Sequence, residues 1–333
     1  MLNNPFLSNT FTSTWLKHFA KNEKTFQFDF IKNVTFLKHK YFPFYFNVGK
    51  NITSGMSYTL NNLEENIDYK GRVCLLYDIP EYFNIDPNIG ASGIKISKVG
   101  QYKGYLLDLE SYTDFNDLLM NFKSKKRNKY KSKKVQLEKD FDISYTYFYG
   151  DVDKEKFNQS ILVFNKLIKK RFGGLGIENN IVGKWHYYEE LIYKMVLEKK
   201  GVLFATYNKD TPIAFAFCFL SDDILFYAAP TFDTDYLKYN LGHTSIMAIL
   251  EWCFEQNISL FDFSKGEFEY KKRWANNSYK FGTHILYDSN SIRATTVGVC
   301  LINYFKLKQF LRDKGINLLY SKLKYFFKKN NSK

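Results

Sequence analysis

Between residues 202 and 263 the chain leaves itself few ways to fold. Three apolar runs, 202–207, 212–220 and 223–229, are each of strand length, and only short polar pieces separate them. Ser221 and Asp222 form the tight turn of a hairpin between the last two. Strands joined this closely must pair as an antiparallel meander. A polar loop with Pro230 follows, and from about Leu241 to Gln256 the apolar residues Ile246, Ile249, Leu250 and Cys253 recur at helical spacing. Leu260 to Phe263 is then a further short buried strand, apolar and aromatic except for Asp262. A mostly antiparallel sheet with helices against it, mixed α/β (α+β), is the fold class this order predicts.

The flanking segments fit the same scheme. Lys154 to Arg171 reads as a helix that stops at Gly173, Gly174 and Gly176, and Trp185 to Lys199 reads as a second helix. A last strand fits 279–287. In the first half, strand signals lie at 25–31, 35–48, 72–78, 105–109 and 143–149. A short helix within residues 1–20 is capped near Ser13 or Thr14, and another starts at Tyr112 with Thr113 or Asp114 as its cap. The stretch 80–101, with Pro80, Pro87, Gly90, Gly93 and Gly100, reads as a loop that covers a cleft. The domains expected are 1–150, 151–290 and a basic amphipathic helical tail, 291–333.

The stretch FDFSKGEFEYKKRW, residues 261–274, carries the densest chemistry. Gly266 breaks the strand and permits backbone angles closed to other residues. Phe268, Tyr270, Lys271 and Trp274 then fall on one short helix. Asp262, Gly266, Tyr270, Lys271 and Trp274 meet a pattern that resembles the GNAT acyltransferase superfamily. The likeness is to its tandem branch, which holds Fem-type cross-bridge transferases and the acetyltransferase-like (CelD-like) proteins of polysaccharide clusters. The order of elements over about 150–290 strengthens the likeness, which implies tandem GNAT-like domains with a degenerate N-terminal copy.

That resemblance implies an N-acyltransferase moving an acyl group from an acyl thioester, acyl-CoA, to the amine of a small or sugar-like acceptor, as in cell-envelope polysaccharide assembly. Acyl-CoA is then a co-substrate, with no permanently bound cofactor. Tyr270 is the expected proton donor to the leaving thiolate, with a core or stacking role as the alternative. Lys271 would stabilise the oxyanion electrostatically, or be a solvent-exposed lysine beside Lys272 and Arg273. Asp262 would orient the amine or act as base, or cap the following turn, and Glu267 and Glu269 are further bases. Phe226 and Tyr227, on the strand bordering the donor gap, would contact the donor. Gly242, His243 and Thr244 at a helix start would take its phosphates, with a base or a helix-capping residue as the alternatives for His243. Tyr239 stands where the superfamily has Arg or Gln, and Thr244 replaces a second small residue. The departure opens an alternative, a Fem-like aminoacyl-tRNA-dependent transfer.

Charge enters through its distribution. The net charge is +14, and residues 123–134 hold eight Lys/Arg and no acid. Lys126, Arg127, Lys133 and Lys134 are candidate contacts for an acceptor, donor phosphates or tRNA; a solvated helix face is the alternative. From Cys300 onward the chain is again strongly basic, with Phe305, Leu307, Phe310, Leu311, Leu319, Leu323, Phe326 and Phe327 among its lysines. This tail packs on the domain or touches an anionic membrane surface. A non-catalytic nucleic-acid or lipid-binding module is the reading from another class.

His18, His39, His186 and His284 are too dispersed for a metal site. Cys74, Cys218, Cys253 and Cys300 form no CxxC pair and read as free thiols. With no leader and no apolar run of about eighteen residues, the expected location is cytoplasmic, with peripheral contact at the inner membrane face as an option.

Overall fold

The computed structural model describes residues 3–50, 52–83, 85, 93–175 and 181–316. In chain order the elements begin with α1 (Asn9–Phe19), β1 (Thr25–Phe28), β2 (Ile31–Lys38), β3 (Tyr45–Asn47), β4 (Thr59–Leu60), β5 (Val73–Pro80) and β6 (Ile94–Asp108). Next come α2 (Phe115–Met120), α3 (Ser124–Asp140), β7 (Ile143–Phe148), α4 (Lys154–Leu175) and α5 (Trp185–Leu197). Then follow β8 (Gly201–Asn208), β9 (Thr211–Ser221), β10 (Ile224–Phe232), α6 (Leu241–Glu255) and β11 (Leu260–Lys265). The chain closes with α7 (Glu269–Trp274), β12 (Asn277–Asp288) and α8 (Ile292–Asp313).

Two compact units divide these elements. The first holds residues 1–22 and 104–279, the second 23–103 and 280–333. Residue 150, where the sequence suggests a boundary, lies within the first unit.

In the first unit, β7, β8, β9 and β10 pair antiparallel in succession. The turn at Asp222 uses a left-handed φ of 47°. After α6, β11 pairs parallel with β10 through Ile224↔Leu260, Leu225↔Phe261 and Phe226↔Asp262, and the pairing stops there. The other edge of β11 pairs antiparallel with the end of β6. A core of Leu107, Leu225, Leu250, Phe261, Phe263 and Trp274 joins this sheet to α6 and α7. In the second unit, β2 pairs with β1, β3 and β4, while β5 lies between β3 and β12. Leu75, Ile285, Tyr287, Ala294 and Phe305 pack α8 onto that sheet.

Several boundaries move for identifiable reasons. The first helix begins at Asn9, because Ser8, rather than Ser13 or Thr14, accepts the Phe11 N–H. The expected strand 35–48 is two strands, interrupted ahead of Phe44 by the Pro43 turn. Helix α4 continues through Gly173 to Leu175: a glycine costs only about 1 kcal/mol in a helix interior, which a helix packed on β9 and β10 tolerates. Asp114 caps α2 as expected, accepting the Asp117 N–H at 2.8 Å. Gly90, Gly176 and the tail residues Leu319, Leu323, Phe326 and Phe327 lie outside the described residues. Among the described residues all four cysteines are free, and no helix is long and apolar enough to cross a membrane.

Candidate active site

Where β10 and β11 part, the first unit has a cavity of about 280 Å³. Its wall comes from β10 beyond the last strand pair (Tyr227, Pro230 to Phe232), the first turn of α6 (Leu241 to His243), Tyr270 of α7 and Arg171 of α4. Asn240, left-handed at φ 54°, turns the chain into α6, and no side chain caps that helix. The first-turn N–H groups and the positive end of the dipole therefore border the cavity. Gly242 permits the approach: a Cβ there would come 2.9 Å from the Phe232 ring.

Tyr270 closes one side of this cavity, with its ring against Phe263. Burial raises its hydroxyl pKa, and the Arg171 charge works in the opposite direction. The hydroxyl is therefore protonated and a donor at neutral pH. Arg171 donates to the Pro230 carbonyl (3.2 Å) and lies 4.3 Å over the Phe232 ring. The sequence reading missed Arg171 because Lys169 and Lys170 precede it, and together they look like an ordinary cationic helix end.

His243 also lines the cavity, and its partner fixes its protonation. The Trp274 indole N–H, which can only donate, points at His243 Nδ1 at 2.9 Å. The ring proton therefore sits on Nε2. Tyr130 of α3 stacks on His243 (4.8 Å between centroids) and on Trp274 (4.9 Å). Burial, then the charges of Arg273, Lys126 and Lys129, push His243 down to about 4. It is a neutral N–H donor at pH 7.

Lys271 and Asp262 build the β11–α7 turn and do not line this cavity. Asp262 is fully buried; its carboxylate accepts the Ser264 N–H (2.6 Å) and the Tyr279 hydroxyl (2.5 Å). Ser264 (φ 61°) and Gly266 (φ 107°) then carry the chain around in positive-φ conformations. Lys271 is 4 % exposed, which excludes the solvent-exposed lysine alternative. Its ammonium donates to the carbonyls of Ser264 (3.2 Å) and Lys265 (2.7 Å) and lies 5.3 Å from the Phe268 ring centroid. Burial pulls its pKa down to about 8, with Asp262 opposing and Lys265 reinforcing.

The remaining candidates divide by face. Phe226 points away from the cavity, against Phe6 (5.7 Å), and Thr244 is buried in the α6 contact. Glu267 is exposed, within reach of the Tyr105 hydroxyl (3.4 Å) and Lys272 (3.9 Å). The basic run is helical, and of its named cations Lys126, Arg127 and Lys134 turn toward neighbouring segments. Lys126 donates to the Arg273 carbonyl, Arg127 to the carbonyls of Met120 and Phe122, and Lys134 pairs with Glu251 at 2.9 Å. Lys133 reaches Gln136. Lys125, Lys129, Lys131 and Lys139 are the exposed cations of that helix.

Among the described residues no cluster of His, Cys, Asp or Glu can hold a metal ion. Residues 124–272 match the model of the acetyltransferase (GNAT) domain. No curated protein sequence matches the chain. In fold, it is similar to the crystal structure of FemX, with a TM-score of 0.55 at 10% identity, over 77% of this chain and 83% of that one. It is also similar to a conserved protein of unknown function from Bacteroides thetaiotaomicron VPI-5482 (TM-score 0.51, 12% identity, 85% of this chain and 91% of that one). A third likeness is to the C-terminal domain of a protein assigned as a lysylphosphatidylglycerol synthetase, from Agrobacterium fabrum (TM-score 0.50, 10% identity, 84% of this chain and 87% of that one). Domain match, strand splay and whole-chain fold agree: residues 124–272 carry an acetyltransferase (GNAT) domain, and the chain shares the fold of FemX.

Proposed function

We propose that the protein transfers an acyl group from an acyl thioester, acyl-CoA, to the amine of a small or sugar-like acceptor. The observation that carries this reading is the end of β10–β11 pairing at Phe226↔Asp262, beside a cavity bordered by Tyr227, Tyr270 and the uncapped start of α6. A thioester carbonyl laid along β10 would meet backbone N–H groups that no longer serve β11, and these would hold its oxyanion. Phosphates of the donor would meet the α6 N-terminus, with His243 Nε2–H and Arg171 beside it.

The chemistry balances with the groups present. The amine gives up a proton to water, and its nitrogen bonds to the carbonyl carbon. The tetrahedral intermediate collapses, the C–S bond breaks, and the thiolate takes the Tyr270 proton. Lys271 would act from behind the turn, its charge stabilising the oxyanion through the carbonyl-anchored loop.

A second reading, aminoacyl transfer from tRNA, is favoured by one further observation. Lys129 and Arg273 are exposed, and both charges act on His243 at the cavity wall. The incomplete phosphate loop, with Tyr239 and Thr244, points the same way. FemX and the lysylphosphatidylglycerol synthetase domain lend this reading their fold. The leaving group would then be a ribose hydroxyl in place of the thiol.

A donor screen decides between them. Acetyl-CoA and longer acyl-CoAs should raise the melting temperature under the first reading, and Tyr227→Ala should weaken that rise. Absence of any CoA stabilisation, with tight and salt-sensitive RNA retention on purification, would replace the first reading by the second.

A further inference from the structure

The second unit has a cavity of its own, about 120 Å³ in volume, roughly four waters' worth of space. Lys50, Tyr77, Asp78, Tyr102, Tyr304 and Lys308 are on its wall. The strand VCLLYDIP that supplies two of them is otherwise built for a core, so an acid in it needs a reason. Asp78 is buried and left-handed (φ 63°), a conformation an L-residue adopts at a cost. It sits in a bulge, where the β5–β12 register slips between Gly282 and His284. Bulges re-aim side chains and recur beside sites. The Thr53 hydroxyl donates to Asp78 Oδ2 (2.9 Å) and the Met56 N–H to its carbonyl (3.1 Å), which fixes the carboxylate in place.

Cations outnumber that carboxylate. Lys50 Nζ lies between two rings, 5.3 Å from Phe46 and 5.2 Å from Tyr77, and Lys308 Nζ lies 5.8 Å from Phe305. Neither lysine forms an ion pair with a carboxylate among the described residues. Arg312 is next to them, donating to the Gln101 carbonyl (3.0 Å) with its guanidinium 4.0 Å over Tyr102. Burial lowers the pKa of both lysines, and Lys308 is lowered further by Arg312 and Lys50, with only Asp78 opposing. Two positive charges and one negative charge thus share the wall of a partly desolvated space, with the Arg312 charge acting on Lys308 from beside it, and a missing counter-charge costs most there. Burial also raises Tyr77, so its hydroxyl is a donor at neutral pH.

We propose that this cavity is a binding site of the second unit for a small anion, a phosphate or carboxylate group, with Lys50 and Lys308 as counter-charges and tyrosine hydroxyls as donors. Asp78 limits the affinity and sets the orientation, accepting from a hydroxyl or ammonium carried by the same ligand. The acyl-transfer reading of the first unit does not depend on it.

Calorimetric titration of the full chain with inorganic phosphate, glycerol 3-phosphate and acetate, at constant ionic strength, tests the assignment. Saturable binding is expected for at least one of them. Lys50→Gln with Lys308→Gln should weaken it about tenfold or more, as expected for charge-assisted contacts. Lys129→Gln with Lys131→Gln, an equal loss of charge in the first unit, should leave it unchanged. Asp78→Asn should tighten binding, an outcome that a misfolded variant cannot give. Phosphate without acetate assigns the phosphate group, a preference for glycerol 3-phosphate assigns its ester, and acetate alone assigns the carboxylate. Binding of none of the three overturns the proposal, and so does equal binding by the double glutamine variant with native circular dichroism.

Discussion

Lys271 lies seven residues beyond the carbonyl of Ser264 that it grips, and that contact determines how its removal should be read. Lys271→Ala leaves two carbonyls of a buried turn without their donor, at about 1–3 kcal/mol each. The melting temperature should therefore fall. If the charge also acts on the oxyanion, kcat should drop by roughly 10²–10³ with the donor KM nearly unchanged. Lys271→Arg should restore only part of either, because a planar guanidinium places its donors differently. Normal turnover at a lowered melting temperature would make Lys271 a clamp and nothing more. pH separates the two roles by sign. Folding depresses this lysine from 10.5 to about 8, so above that pH the unfolded chain binds the extra proton. Its contribution to stability therefore rises between pH 8 and 10, while turnover that needs the ammonium falls over the same interval. Tyr270→Phe keeps the ring against Phe263 and removes only the proton donor; a fall in kcat without a fall in melting temperature is expected.

At the scale of elements, the β11–α7 turn and helix α3 each make a distinct claim. Gly266 has φ 107°, and a Cβ there would come 3.0 Å from the Phe268 ring and 3.9 Å from the Lys271 ammonium. Gly266→Ala should cost about 1–3 kcal/mol in urea denaturation, through backbone strain and the displaced ring. A cost near zero would show that the turn relaxes freely and does not fix Lys271. Helix α3 has an inward side, where Tyr130 stacks on Trp274 and Lys134 meets Glu251, and an outward side with Lys125, Lys129 and Lys131. If tRNA is the donor, replacing these three with Gln should lower the slope of log affinity against log salt by about 2–3. Lys134→Gln should leave that slope alone and lower stability instead.

For the molecule as a whole, each unit holds a neutral histidine, and both respond to acid in the same direction. His243 is held down to about 4 and His284, whose Nδ1 meets the Tyr58 hydroxyl at 2.9 Å, to about 3. Below pH 6.5 the unfolded chain protonates both while the folded chain resists. Stability is therefore complete above that pH and is lost as pH falls toward 4 and then 3, by a few kcal/mol per histidine at most. Urea midpoints between pH 4 and 7 should decline in the wild type. His284→Gln should flatten the part of the decline that belongs to the second unit, and an unchanged slope would show that His284 protonates without cost.

Period and punctuation alone determined the first unit's element order, from the helix at Lys154 through the meander to the strand before Gly266. Such patterns report which face of each element is buried, and burial is settled mainly by the residue's own chemistry. The family resemblance, not the pattern, pointed to Gly242, His243, Tyr227 and Tyr270, which the tertiary structure brings to one cavity. The pattern could not place charged side chains. Lys271 looks like one of three successive surface cations until the carbonyls of Ser264 and Lys265 draw its ammonium inward. Arg171 is one cation at the end of a helix until Phe232, on another element, gives it a surface to lie on. The basic run divides into an inward and an outward half only because α6 and α7 supply an acceptor, a carboxylate and a ring. A long cationic side chain takes its position from partners distant in sequence, and so the tertiary structure, not the local pattern, decided which charges face the cavity.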